Sequence, residues 1–391
     1  MPESILSQNA SRLQPSVFSK LIPKIRELGE RCIPLHIGDT YRLPPKACLD
    51  ALAKVGMEGL GSTRYFKYTH PAGRAELLDA LVEKLERDNN ISAVKDCLQI
   101  TCGATQALCA LAQTFLNPKD EVIVFCPHWP LIRGIVETAG GKVVDVSYED
   151  AVRDPEAILT PLLSSRTKVL YLANPNNPDG NLLNREQADR IYRFAQANGL
   201  YIWSDEAYEH LVYDDHEKVS LGSLDRGQAE ARVLSVFTYS KSFGMAGMRV
   251  GYVVGPAHIM DCVRRVSSHQ IYDLSDINQE AALAAMSQNQ EDYSSYLQAQ
   301  RSAYEEAKSL LLSAFPRVSN PPGGAYLFVP FSSPEQAWET MLKWLEQGVS
   351  SAPGAAFGGL HPHCLRLCFT AVPPERLQKA VAIIKELDSV R

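Results

Sequence analysis

The 391-residue chain predicts an α/β fold: a large domain with a mostly parallel seven-stranded sheet, and a smaller α+β domain after it. Three observations carry this reading. Short apolar runs bounded by turn residues alternate with helical periodicity through the middle of the chain, as successive strand–helix units require. Near residue 285 that alternation gives way to long helical stretches with isolated strand-like segments. The length suffices for two lobes, and no internal repeat or low-complexity tract suggests a solenoid or a disordered tail.

The first forty residues read as one short helix and an extended stretch over 33–37, too little to bury a core. Residues 1–45 are therefore expected to pack on the smaller domain or on a partner. Residues 46–285 are expected to form the large domain and 286–391 the small one. Strands are predicted over 97–101, 121–125, 142–146, 168–173, 200–204, 233–239 and 250–254. Helices fall between them, over 105–115 and 185–197. In the second helix Ala188, Ile191, Tyr192, Phe194 and Ala195 share one broad face. Beyond 285, helices over 291–315 and 336–346 frame a strand around Tyr326. A strand over 364–369 precedes a helix that opens at Pro374, where proline suits the first turn and Glu375 complements the dipole.

The formal net charge of −6 argues against nucleic acid or an anionic membrane as partner. Nine cysteines, an odd number with no CxxC pair, fit buried thiols in a reducing compartment. The start lacks the basic-then-apolar profile of a signal peptide, and no apolar run approaches the roughly 20 residues that span a bilayer. A soluble, cytoplasmic protein is expected.

The chemistry gathers at predicted strand ends. Lys241 follows an apolar run and is flanked by Thr238, Ser240 and, eight residues on, Arg249. The amine can form an imine with an aldehyde, and burial would favour the neutral form this needs; the hydroxyls and the arginine suit a phosphate. Gly103-Ala104-Thr105 opens a helix, offering free N–H groups to an anion. Trp129, after a strand, can stack on a planar ring. Asn177 lies in Asn174-Pro175-Asn176-Asn177-Pro178-Asp179-Gly180 and can hydrogen-bond a phenolic oxygen or a carboxylate. Asp205, in Ser204-Asp205-Glu206-Ala207-Tyr208, is costly to bury unless it faces a cation such as a protonated pyridine nitrogen. Arg366 sits between two leucines, where its planar fork suits a carboxylate. Together these parts imply pyridoxal 5'-phosphate (PLP). The His361-Pro362-His363-Cys364 cluster reads as a loop, and no metal is expected.

These segments, with His36-Ile37-Gly38-Asp39, Tyr68-Thr69-His70-Pro71-Ala72-Gly73 and Pro321-Pro322-Gly323-Gly324, occur in the order found in class I/II aminotransferases. The chain resembles that fold-type I PLP-dependent family over nearly its whole length. The resemblance implies catalytic roles for Lys241, which would hold the cofactor and shuttle the substrate proton, and for Asp205 and Tyr208. Asp205 would pair with the ring nitrogen, and Asn177 and Tyr208 would bind the ring oxygen. Trp129 would stack on the ring. Gly103, Ala104, Thr105, Thr238, Ser240 and Arg249 would bind phosphate, joined by Tyr68 of a second subunit in a homodimer. Arg366, Asn177 and Gly38 would bind the substrate. A cis proline is expected at Asn177-Pro178.

Three departures from the family pattern bear on the substrate. His36 replaces the commoner glycine, and Asp179 stands where threonine is usual. The His269-Gln270-Ile271-Tyr272-Asp273 neighbourhood lacks the arginine that aspartate-specific relatives take from the partner subunit, although Arg264 and Arg265 lie a little upstream. A neutral or aromatic amino acid is therefore favoured over a dicarboxylic one, with Tyr41, Tyr65 and Tyr272 shaping the pocket and a 2-oxo acid as acceptor in a ping-pong cycle. The alternative is a β- or γ-eliminating lyase, of the C–S lyase or aminocyclopropane carboxylate synthase type. A PLP-sensing regulator would need a fused basic DNA-binding module, for which this sequence shows no segment.

Overall fold

Strand formation follows side-chain alternation. Across Glu121–Cys126, Ile123 and Phe125 enter one apolar cluster while Val122 and Val124 enter another; Leu170 and Leu172 likewise separate from Val169 and Tyr171 in Thr167–Ala173. Both faces are thus covered by helices, as a parallel sheet demands. The computed structural model describes residues 7–13, 17–58, 63–226, 228 and 230–389.

In chain order the strands are β1 (Ile33–Pro34), β2 (Leu98–Thr101), β3 (Glu121–Cys126), β4 (Lys142–Ser147), β5 (Thr167–Ala173), β6 (Tyr201–Asp205), β7 (Val233–Thr238), β8 (Gly251–Val254), β9 (Tyr326–Pro330), β10 (Val349–Ser350), β11 (Ala352–Pro353) and β12 (Cys364–Cys368). The large sheet runs β2-β8-β7-β6-β5-β3-β4. The β4, β3, β5, β6 and β7 pairings are parallel; β8 is antiparallel to both its neighbours. The carboxyl ends of β3, β5, β6 and β7 therefore share one edge, where open α/β sheets form their ligand crevices.

Helix Arg185–Ala197 covers one sheet face with the five residues its periodicity predicted. It starts at a reciprocal capping box between Asn184 and Gln187, which satisfies two otherwise orphaned donors. Helix Gly103–Phe115 covers the other face beside Ala257–Ile271. Its first turn can lie close to the sheet because Gly251 lacks a Cβ, which would meet the Gly103 carbonyl carbon at 2.7 Å.

A second core joins Leu21, Leu28, Ile33 and Leu35 to Tyr304, Trp344, Leu365, Leu377 and Ile384. Here β9, β11 and β12 form an antiparallel sheet, and β1 pairs parallel with β10.

Three local expectations are corrected. The run at 233–239 ends one residue earlier as strand: Thr238 caps a four-residue helix, Tyr239–Ser242, accepting from the Ser240 amide at 3.2 Å. Lys241 thus projects from a helical turn. The extended stretch at 33–37 forms strand only over Ile33–Pro34, and helix Ile22–Leu28 precedes it. The cis peptides are Cys126-Pro127 and Asn174-Pro175 rather than Asn177-Pro178.

Candidate active site

A cavity of about 600 Å³ opens at the shared carboxyl edge. Of the residues singled out in the sequence, Lys241, Asp205, Tyr208, Ala104, Thr105, Trp129, Asn177, Thr238, Ser240, Arg249, Gly38 and Arg366 all line it. Gly103 lies just behind the wall, and Tyr68 is remote and exposed, its ring edge-on to Tyr272 at 4.8 Å. Tyr41, Tyr65 and Tyr272 do not line this chain's cavity.

The Lys241 amine donates to the Gly38 carbonyl. Its backbone is held by Gln300, which donates to the Lys241 carbonyl at 3.2 Å. Burial lowers the amine's pKa, opposed by Cys368 and Asp39. Across the cavity Asp205 ends β6, 5% exposed. It accepts from the Tyr171 hydroxyl at 3.0 Å and the Ala207 amide at 3.2 Å. Burial pushes its carboxyl up to about 6 against these two bonds, and no ion pair reaches it among the described residues.

Arg366 projects from β12. Nη1 donates to Asn177 Oδ1 at 2.9 Å and Nη2 to the His36 carbonyl at 2.7 Å. Its guanidinium lies over the Tyr326 ring at 4.2 Å and the Phe357 ring at 4.7 Å, while Nε is buried without a partner. His36 is pushed down to about 4, mainly by burial and then by Arg366, so its ring is neutral near pH 7.

The opposite wall gathers hydroxyls, a helix start and a guanidinium, groups that suit an anion. Thr238 and Ser240 hydroxyls lie 2.9 Å apart, beneath the start of helix Gly103–Phe115. Arg249 adopts a left-handed backbone conformation, φ 55°, uncommon for a residue with a Cβ. Its Nη1 donates to the Ala246 carbonyl at 3.0 Å. Gly103, with φ 72°, leaves room for that guanidinium: a Cβ there would sit 2.7 Å from Nη2. Asp179, the departure in the Asn-Pro turn, is structural, accepting from Asn176 Nδ2 at 2.9 Å and the Asn181 amide at 3.1 Å.

Two contributors carry no distinguishing mark in the sequence. Tyr326 shares a hydrogen bond with Tyr208 and underlies Arg366, and Tyr171 supports Asp205. Each is a phenol inside an otherwise apolar run, a pattern that also describes ordinary core tyrosines. His36 stands out in the sequence only as a replacement for the usual glycine.

Residues 30–384 match the family described as aminotransferase class I and II. The chain belongs to that family. It is 34% identical to the aspartate/prephenate aminotransferase of Thermus thermophilus over 96% of this chain and 97% of that protein. It is 29% identical to an aspartate aminotransferase of Bacillus subtilis, covering 97% and 98%. A solved T. thermophilus aspartate aminotransferase mutant superposes with TM-score 0.89 at 31% identity, covering 98% of this chain and all of that one. An aromatic aminotransferase from Pyrococcus horikoshii gives 0.83 at 27% identity, covering 95% and 99%. The protein is thus a PLP-dependent aminotransferase with the fold-type I architecture. Its donor set fits the cofactor: a buried aspartate without a cation, an amine of lowered pKa and a cradle kept clear by a glycine.

Proposed function

We propose that this aminotransferase moves an amino group from a neutral or aromatic L-amino acid to a 2-oxo acid in a ping-pong cycle. The observation that carries the reading is the placement of Lys241 and Arg366 on one strip of backbone. The amine bonds the Gly38 carbonyl and the guanidinium the His36 carbonyl, so an amino acid held by its carboxylate on Arg366 presents its α-carbon towards Lys241.

Bound PLP supplies an aldehyde that condenses with amines and a ring that accepts the electron pair released at the substrate α-carbon. The chain supplies the rest. Nζ of Lys241 takes the α-proton, helped by the burial that favours its neutral form. Asp205, which faces no other cation, pairs with the protonated ring nitrogen. Tyr208 and Asn177 hold the ring oxygen, and Trp129 covers the ring. Ala104, Thr105, Thr238, Ser240 and Arg249 hold the phosphate, with Gly103 making room. Exposed Tyr68 serves the cavity of a second copy, in a homodimer working in the cytoplasm. The three-part division at 45 and 285 is retained in this reading.

Support for a neutral side chain comes from the cavity mouth, where Ile22, Ile37, Pro130 and Leu131 are apolar. The basic residues that this chain itself contributes to the lining are Lys241, Arg249, Arg366 and the depressed His36. The likeness to the aromatic aminotransferase of P. horikoshii points the same way. The Thermus and Bacillus relatives, named for aspartate, point instead to a dicarboxylic donor. Absorbance spectra of PLP-loaded protein with single amino acids decide between them. Conversion to the pyridoxamine form by aromatic or neutral donors supports the proposal. Conversion by aspartate or glutamate alone overturns the side-chain assignment. Ammonia release without a 2-oxo acid acceptor overturns transamination in favour of elimination.

A further inference from the structure

We propose that His361, His363 and Cys364 form a zinc(II) site in the loop that leads into β12. One imidazole nitrogen from each histidine and the Cys364 sulfur all lie within 4.8 Å of one another. Tetrahedral zinc with bonds of about 2.0–2.3 Å places its ligand atoms roughly 3.5 Å apart. Rotation of two half-buried imidazoles about their side-chain bonds closes that gap.

The backbone around the cluster is already fixed. The Cys364 amide donates to the His361 carbonyl at 3.2 Å, closing the turn, and the Phe331 amide donates to the His363 carbonyl at 2.9 Å. Cys364 opens β12 in register with Pro330 of β9. Gly354 packs against the same turn, where a Cβ would stand 2.6 Å from the Cys364 carbonyl oxygen. Only side chains need move, so the ordering cost of binding is small.

Donor chemistry selects the ion. Two imidazoles and a thiolate without a carboxylate suit zinc and disfavour magnesium or calcium, which take oxygen ligands. Binding displaces the thiol proton to solvent as the Zn–S bond forms; water fills the fourth position. The His361 ring lies edge-on to Phe328 at 6.0 Å. The His363 ring has no hydrogen bond among the described residues, leaving it available.

The position gives the ion its consequence. Cys126 ends β3 three residues before Trp129, and Cys364 precedes Arg366 by two. The two segments already touch where the His128 amide donates to the Phe357 carbonyl at 3.0 Å. An ion at the cluster would fix the loop that leads into the strand bearing Arg366, the loop whose start bonds His128.

The test uses PLP-loaded protein stripped of metal by a chelator and titrated with Zn²⁺ by calorimetry, with Co²⁺ as a spectroscopic substitute. The expected result is one ion per chain, a tetrahedral cobalt spectrum with a thiolate charge-transfer band, and slowed amide exchange over 354–364. His363→Gln, at a half-buried side chain, should melt with the metal-free wild type. It should weaken binding by more than the roughly 10- to 100-fold typical of losing an outer partner. Cys364→Ser should remove the charge-transfer band. Equal affinity in His363→Gln, a thiolate band that survives Cys364→Ser, or no retained ion would each overturn the proposal.

Discussion

Replacing Arg366 with lysine keeps the positive charge and removes the fork, so it isolates what the planar geometry contributes. In the structure the guanidinium makes two charge-assisted bonds, 2.9 Å to Asn177 and 2.7 Å to the His36 carbonyl, and is sandwiched against Tyr326 and Phe357. A lysine ammonium reaches one such acceptor, binds a carboxylate at a single point and leaves the other groups short of a partner. Losing one charge-assisted bond costs about 1.5–3 kcal/mol, and an orphaned buried acceptor about 1–3 kcal/mol. Together these predict about 3–5 kcal/mol in the transition state, or roughly 10²- to 10⁴-fold in kcat/KM. The assay is the donor half-reaction in single turnovers, followed by absorbance, with PLP affinity measured separately. Cofactor affinity should hold, and a simple amine without an α-carboxylate should lose no rate. A loss under about fivefold for the amino acid, or an equal loss for the amine, would refute the assignment of Arg366 to the carboxylate.

Other consequences can be measured alongside. Lys241→Ala should still take up PLP through the cradle, yet borohydride should no longer fix the cofactor to the chain, as mass spectrometry would show. The buried pair Lys84–Glu209, 2.5 Å apart, should behave asymmetrically. Lys84→Met or Glu209→Leu alone should cost about 3–5 kcal/mol in denaturant unfolding, while the double replacement should be close to neutral. For PLP-free protein, Asp205 is raised from 3.8 to about 6 by burial, so between these values the native state holds a proton that the unfolded chain lacks. The Asp205 contribution to stability should fall by on the order of 3 kcal/mol as pH rises from about 4 to 6. Burial raises Asp179 and Glu206 as well, to about 6 and about 7, so Asp205→Asn should remove one part of the slope in that range, and a slope unchanged by it would refute the shift.

Much of the large sheet is legible because its strands are short apolar runs with turn chemistry at their ends, and helix Arg185–Ala197 because one periodic face is framed by a capping box. The site residues are legible where a polar side chain interrupts such a pattern, at a strand end for Asp205 and in mid-strand for Arg366. Tyr326 and Tyr171 are not, because a phenol within an apolar run looks the same whether its hydroxyl serves a neighbour or merely reaches solvent. The turn carrying Lys241 reads one residue too long as strand. There, Thr238 bonding the Ser240 amide outweighs the β propensity of Val233, Val236 and Phe237, a local side-chain contact that composition does not reveal. The cis bond falls at a different proline of the same turn from the one expected, because several X-Pro pairs there carry the same local signal.

The strip formed by His36 and Gly38 is reached by Lys241 from 203 positions away and by Arg366 from 330. During vectorial synthesis the strip and the lysine leave the ribosome long before the arginine does. A nascent chain can therefore assemble its phosphate cradle and present an amine while the carboxylate clamp is still unmade. Any chain that terminates early, short of β12, would lack the clamp and also the strand that the stretch before His36 packs against.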